Sequence, residues 1–392
     1  MNKVRPDREE VKDQATDPGE IGEERQRWAN RTTFILAAIG SAIGLGNFWR
    51  FPYLVYKHGG AIFFIPYILA LFTIGIPMLL LELTLGQKFQ RGDIGVFRGI
   101  YPRAAGVGIA SVFSTCCIVV YYSVIMSWSL YYFVMSFVSP LKWSTEGYDN
   151  KCKIGPASEY YYRNVLKYLG DDCIFKQPKD TEEVAWLLWM SSFFCWVIIY
   201  LCVFKGVKSS SYVVWVTVPL PMILIVILFI RGITLDGAGR GIDVYLTGED
   251  GSSVTNSLQK PDIWTDAIGQ IFFSLSICLG VMTSYGSYNR RDKPVIQDNF
   301  IIAISNSIIS FISGFTVFSI IGYLRKSGNP VSRQVATFGL AYVALPTAAA
   351  EMPLSNFWNL LLFITLFTLG IDSAFSMVEA ISTVLHDTPT GK

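Results

Sequence analysis

Charge and histidine are what this sequence has least of. Only 16% of its 392 residues are Asp, Glu, Lys or Arg, and it has two histidines, His58 and His386. Soluble domains carry about 25% charged residues. The shortage excludes an ordinary soluble two-domain protein, which length alone would allow. Two histidines cannot build a His-rich metal centre. Thirty-two Lys and Arg offset 30 Asp and Glu, which leaves no basic excess for a nucleic-acid surface. No phosphate-binding loop, nucleophile elbow or zinc-ligand spacing is present, so nothing reads as an enzyme.

What the chain has instead is apolar length. Apolar residues make up 52% of it, and the mean hydropathy is +0.40. About 20 apolar residues in a row are enough for a helix to cross a bilayer. Eight such runs occur: Thr32–Tyr56, Ala61–Leu85, Gly106–Val138, Val184–Phe204, Tyr212–Ile230, Trp264–Tyr288, Phe300–Leu324 and Phe357–Leu385. The first is not a signal peptide, because a polar tail precedes it and no small-residue cleavage pattern follows a short core. That tail, residues 1–27, holds six Lys/Arg and eight Asp/Glu and reads as disordered.

Short loops set the orientation. Lys88, Arg91, Arg98 and Arg103 fall between runs two and three, Lys205 and Lys208 between four and five, and Arg290, Arg291 and Lys293 between six and seven. The positive-inside rule makes these loops and the N-terminus cytoplasmic. The exterior then receives loop 139–183, the acidic loop 232–263 and the stretch 326–355. Of seven cysteines, Cys152 and Cys173 are the two in an outside loop, where an oxidising environment permits a disulfide.

Two of the runs are poor helices. The first contains Gly40, Gly44, Gly46 and Asn47; the sixth contains Ser274, Ser276 and Gly280. Glycine costs a helix about 1 kcal/mol against alanine. Unpaired backbone at membrane depth is tolerated only where it lines a protein cavity. A pair of interrupted spans at matching positions of two repeats points to a transporter's binding site. Runs one and six match if the repeat is five helices. Ionisable groups inside spans are functional candidates. Arg50 follows the first break. Glu82 is positioned to bracket the freed amides of a broken helix. Asp372 and Ser373 offer hard oxygens to an alkali cation, or form a buried hydrogen-bonded pair.

At these residues the chain resembles the neurotransmitter:sodium symporter family, in its amino-acid-transporting branch. The resemblance rests on Gly-Leu-Gly-Asn-Phe-Trp-Arg-Phe-Pro-Tyr at 44–53 and Gly-Gly-Ala-Ile-Phe-Phe-Ile-Pro-Tyr at 59–67. It also rests on Gln270-Ile-Phe-Phe-Ser-Leu-Ser276, Ser287-Tyr-Asn289 and Leu369-Gly-Ile-Asp-Ser-Ala374. It implies an all-α integral membrane protein with two inverted five-helix repeats and discontinuous helices 1 and 6. The family's members usually have twelve spans, so the second repeat is expected to be incomplete. Residues 28–387 would form one transmembrane transporter domain of eight spans, with 139–183 as extracellular loop 2 and 331–350 as a re-entrant hairpin. Residues 388–392 would be a truncated end.

The resemblance also implies ligands. A first sodium ion would be held by the Ala42 carbonyl, Asn47, Ser274 and Asn306. A second would be held by carbonyls of Gly40, Ile43 and Leu369 with the side chains of Asp372 and Ser373. All-oxygen coordination suits a hard cation. Chloride would sit among Tyr67, Gln270, Ser274, Asn306 and Ser310. Chloride-independent members put a carboxylate where Ser310 stands, so chloride dependence is expected. Amine-selective members carry Asp at the position of Gly44. With no side chain there, the substrate must bring its own carboxylate. It would lie among Ala42, Gly44, Gly46, Ile118, Tyr122, Phe273, Ser276, Leu279, Ser373 and Met377, a wall that suggests a neutral, aliphatic amino acid. Gates would be formed by Arg50 outside and by Arg25, Trp28, Tyr288 and Asp387 inside. The expectation is sodium- and chloride-coupled symport across the plasma membrane by alternating access. Its partners would be membrane lipid and the amino acid, and no nucleic acid. The rivals are a GABA-like substrate, a non-transporting sensor, or an inactive fragment. Nothing in the sequence sets the oligomeric state.

Overall fold

A computed structural model describes residues 26–176, 184–248, 258–328 and 337–387. Helical stretches at Pro156–Val165 and Thr337–Ala344 and thirteen further helices order these segments. The thirteen are α1 (Arg31–Ala42), α2 (Gly46–Lys57), α3 (Gly60–Phe89), α4 (Asp93–Ile100), α5 (Pro102–Met135), α6 (Trp186–Val203) and α7 (Val207–Ile233). They continue with α8 (Ala238–Thr247), α9 (Pro261–Ser274), α10 (Val281–Ser287), α11 (Val295–Lys326), α12 (Leu345–Glu351) and α13 (Ser355–His386). Among the described residues the only strand-like pairing is an isolated bridge between Leu169 and Phe175.

Among the described residues, six helices are long and apolar enough to cross a membrane. The pair α1 and α2, bent by 50°, makes a seventh span. The run expected over Trp264–Tyr288 is divided into α9 and α10, separated by residues 275–280. Both glycine- and serine-interrupted runs therefore break.

Each break has a local cause and a remote support. In the first, Ile43 turns extended (φ −85°, ψ 97°) after the glycine-weakened helix. The Asn47 side chain accepts the Gly44 amide at 3.2 Å. In the second, Ser276, Cys278 and Gly280 adopt φ of 54°, 65° and 69°, a region that ends a right-handed helix. The freed groups find partners on neighbouring helices. Glu82 of α3 accepts the Cys278 amide at 2.6 Å, and Thr115 of α5 donates to the Leu279 carbonyl at 2.7 Å. Irregular backbone survives at membrane depth because protein supplies these bonds.

Helix α13 is the central element, with 89% of its most apolar window buried, whereas α6 buries 17%. Helices α3 and α10 meet backbone to backbone. A methyl on Gly86 would run into the Thr283 carbonyl and stand 3.0 Å from the Ser287 nitrogen, and one on Gly286 would stand 2.6 Å from the Leu83 carbonyl. Small residues permit this approach between membrane helices. Gly86→Ala is therefore expected to destabilise the fold by about 1–3 kcal/mol. Thermal unfolding in detergent would show it, and an unchanged midpoint would deny the close apposition.

Two helices, α4 and α8, lie in loops where the sequence suggested none. In the loop 139–183, Cys152 and Cys173 form the expected disulfide. Arg163 contacts it, with Nη2 3.0 Å from the Cys152 sulfur, and Glu159 accepts the Cys152 amide at 2.8 Å. Of the expected hairpin 331–350, residues 331–336 lie outside the described residues. The remainder is helical and buried, with Tyr342 donating to the Ile125 carbonyl at 2.9 Å. The tail 1–27 is described from residue 26 on.

Candidate functional site

The two breaks face each other around α11 and α13. Asn47 of the first break donates to Asn306 Oδ1 at 2.7 Å and to Ser310 Oγ at 2.9 Å, both on α11. Ser274, the last residue of α9, is hydrogen-bonded to the Asn306 amide at 2.8 Å. All four side chains are buried. The structure thus brings together the three side chains expected around the first sodium ion. Ala42 and Gly44 supply backbone from the break itself.

A second cluster joins α1, α7 and α13. Asp372 accepts from Thr217 at 2.5 Å, and one of its carboxylate oxygens would lie 3.3 Å from a methyl built on Gly40. Ser373 donates to the Ser41 carbonyl at 3.2 Å. Thr217 was not foreseen, because nothing local marks one hydroxyl in an apolar run. Ile43 and Leu369, buried beside this cluster in the core, have only carbonyls to offer a cation.

The residues expected around chloride share a fully buried region. Tyr67, Gln270, Asn306 and Ser310 have no exposed surface, and Ser274 has almost none. Tyr67 is 3.1 Å from Ser307, a partner missed in the sequence. Ser310 donates to the Asn306 carbonyl at 3.1 Å. Gln270 is different: neither its amide nitrogen nor its amide oxygen has a partner. Buried polar atoms are nearly always bonded. An amide N–H left over among hydroxyl donors fits an anion.

Between the breaks is a cavity of about 460 Å³, within the range of small-molecule sites. Of the expected substrate residues, Gly46, Ile118, Tyr122, Phe273 and Leu279 line it. Ser276, Ser373 and Met377, with Ala42 and Gly44, are buried outside that lining. Trp49, Tyr121, Ile125, Phe272, Ile277 and Phe338, with Leu45 and Gly269, also line it and were not anticipated. Phe338 comes from the segment leading into α12 and packs on Trp49 with centroids 4.9 Å apart. Arg50 is the one charged residue in the lining. Its guanidinium lies over Phe273 at 5.1 Å and donates to the Gly269 carbonyl at 3.4 Å.

At Gly44 there is no space for a side chain. A methyl would stand 2.7 Å from the Ser373 hydroxyl and 3.1 Å from the Tyr122 hydroxyl. Tyr122 accepts the Leu45 amide at 3.4 Å.

Of the residues expected at the inner gate, Trp28, Tyr288 and Asp387 lie within the described residues. Trp28 donates from its indole to the Tyr285 carbonyl at 3.0 Å and stands edge-on to Tyr288. Asp387 accepts the Gly92 amide at 2.6 Å. Arg25 lies outside the described residues. At the other end of α2, Lys57 and His58 both reach Asp266 of α9, at 2.6 and 2.7 Å. This junction between the two broken spans was not foreseen.

Residues 25–391 match the profile of the Sodium:neurotransmitter symporter family. The chain belongs to this family. As a member it is a multi-pass membrane protein, not an enzyme. Its relatives include the sodium- and chloride-dependent GABA transporter 2 of Rattus norvegicus, 39% identical over 93% of this chain and 62% of that protein. The human counterpart is equally similar, at 39% identity over the same shares. The sodium- and chloride-dependent taurine transporter of Canis lupus familiaris is 37% identical over 93% of this chain and 61% of that protein. The chain spans about three-fifths of the length of the curated relatives it matches.

Proposed function

We propose that residues 28–387 are the substrate- and ion-binding part of a sodium- and chloride-coupled symporter for a small zwitterion. The carrying observation is Gly44. A buried position that admits no side chain has no room for a fixed carboxylate, so the substrate's own anionic group must complete the first sodium site. Asn47, Ser274 and Asn306 would hold that sodium with the Ala42 carbonyl. Asp372 and Ser373, with carbonyls of Gly40, Ile43 and Leu369, would hold the second. Tyr67, Gln270, Ser274, Asn306 and Ser310 would hold chloride, whose charge offsets the two cations.

The relatives named for GABA and taurine favour a substrate of that kind. A neutral aliphatic amino acid is the second reading, supported by the apolar wall of Ile118, Phe273 and Leu279. Both bring an anion and an ammonium. We place the protein in the plasma membrane with eight crossings and a cytoplasmic N-terminus, from the distribution of Lys and Arg among the short loops. Arg50 above Phe273 would close the cavity outward, and Trp28 with Tyr288, Arg25 and Asp387 would close it inward. The membrane potential then assists entry, at about 2.3 kcal/mol per charge per 100 mV.

The test is uptake of radiolabelled GABA, taurine and leucine by cells expressing the full-length protein, with sodium or chloride replaced in turn. Saturable uptake of one of them, lost without sodium and without chloride, is the expected result. Binding without uptake would make the protein a sensor. Uptake that ignores both ions would overturn the proposal.

A further inference from the structure

Two buried carboxyl groups flank the break between α9 and α10, and the transport reading uses neither as an ion ligand. Glu82 of α3 is 8% exposed and Asp93 of α4 is 4% exposed. Glu82 Oε1 accepts the Cys278 amide at 2.6 Å, while Glu82 Oε2 has no partner. Asp93 Oδ2 accepts from Ser111 at 2.5 Å and would lie 2.8 Å from a methyl on Gly280, while Asp93 Oδ1 has no partner. Glu82 therefore bonds the start of the segment 278–280, Asp93 packs against its end, and both act electrostatically on Cys278. Among the described residues no Lys, Arg or His compensates either one.

Isolated ionised carboxylates are very costly to bury, and such groups neutralise instead. Asp93 opens α4, and a helix N-terminus favours its anion. The Ser111 and Thr283 hydroxyls favour the anion too. Burial outweighs them and pushes the Asp93 carboxyl above its ordinary value. The other titratable groups facing the pair do not help. Cys278 can only add negative charge, and Asp387, just past the end of α13, reaches the Gly92 amide beside Asp93. Lys88, Arg91 and Arg98 on α3 and α4 point to solvent.

We propose that Glu82 and Asp93 form a proton-binding site that spans the second helix break. Protonated, the pair is neutral and holds residues 278–280 against α3, α4 and α5. Deprotonated, it places two like charges across the same segment and loosens it. The site is separate from the sodium and chloride positions, and it stands whatever the substrate proves to be.

The test is infrared titration of the purified full-length protein, following the carbonyl stretch of protonated carboxyl groups. Asp93→Asn and Glu82→Gln are each expected to remove one band. Each should also lower the midpoint of the remaining band by about one pH unit, as expected when a coupled like charge is lost. Ser111→Ala keeps both carboxyls and should raise the Asp93 midpoint, because the hydroxyl favours the ionised form. It also keeps the proposal testable if a carboxyl variant fails to fold. Bands unaffected by all three substitutions would overturn the proposal, leaving the free oxygens to a bound cation or to water. Loss of one band with no movement of the other would also overturn it, since the two groups would then titrate alone.

Discussion

Gly44→Ala is expected to weaken substrate binding by about 10- to 100-fold. The added methyl meets the Ser373 hydroxyl at 2.7 Å and the Tyr122 hydroxyl at 3.1 Å. Neither is the free end of a flexible chain. Ser373 is tied to the Ser41 carbonyl at 3.2 Å, and Tyr122 to the Leu45 amide at 3.4 Å. Overpacking of this kind costs about 1–3 kcal/mol, and each 1.4 kcal/mol is about tenfold in affinity. The loss falls on substrate because the strain sits between the break in the first span and the side chains that face it. Gly106→Ala is the control, since a methyl there has nothing within 4 Å. Equilibrium binding of labelled substrate to the purified protein measures both. Equal affinity in the two variants would show that Gly44 is not at the substrate position.

Ser310→Glu is expected to make sodium-driven uptake independent of chloride. Ser310 is fully buried and accepts from Asn47 Nδ2 at 2.9 Å. A carboxylate there would take that donor. It would also supply the fixed negative charge that, in the proposed function, two sodium ions would otherwise draw from chloride. The unpartnered Gln270 amide in the same set gives the new anion a further donor. Removing that donor should act in the opposite sense: Gln270→Leu should raise the chloride concentration needed for uptake. Uptake in chloride-free gluconate medium is the measurement. If Ser310→Glu stays chloride-dependent, the anion lies elsewhere. Because burial favours a neutral carboxyl, this variant's uptake should also fall as pH is lowered, which wild-type Ser310 cannot cause.

Several site residues were legible because their signals are local. Three glycines and Asn47 within a few residues announce a broken helix, and so does Ser274-Leu-Ser276 ahead of Gly280. Asp372 is visible because a carboxylate in an apolar run is rare and costly. The partners of these groups gave no such sign. Thr217, Ser307 and Thr115 are single hydroxyls in apolar runs. In such positions a Ser or Thr usually bonds its own helix at i−4, as Thr316 and Ser319 do here at 2.8 and 2.7 Å. Only a neighbouring helix turns such a hydroxyl into a ligand's partner. The helices α4 and α8 were missed because eight to ten residues with modest apolar content look like loop.

By itself the sequence determined the class of molecule, the number of its apolar runs, the two breaks, the charged loops and the family. All of these depend on composition and on spacing along the chain. Tertiary structure decided which face of each helix looks inward. Helices α6 and α13 have nearly the same mean hydropathy, 2.0 and 1.9, yet 17% of one window and 89% of the other are buried. A soluble protein would betray that difference through polar residues on its outer face. In a bilayer the lipid is as apolar as the core, so leucine and phenylalanine serve both faces equally. The cavity wall, the disposition of Gln270 and the pairing of Glu82 with Asp93 about residues 278–280 follow from helix packing that hydropathy cannot see.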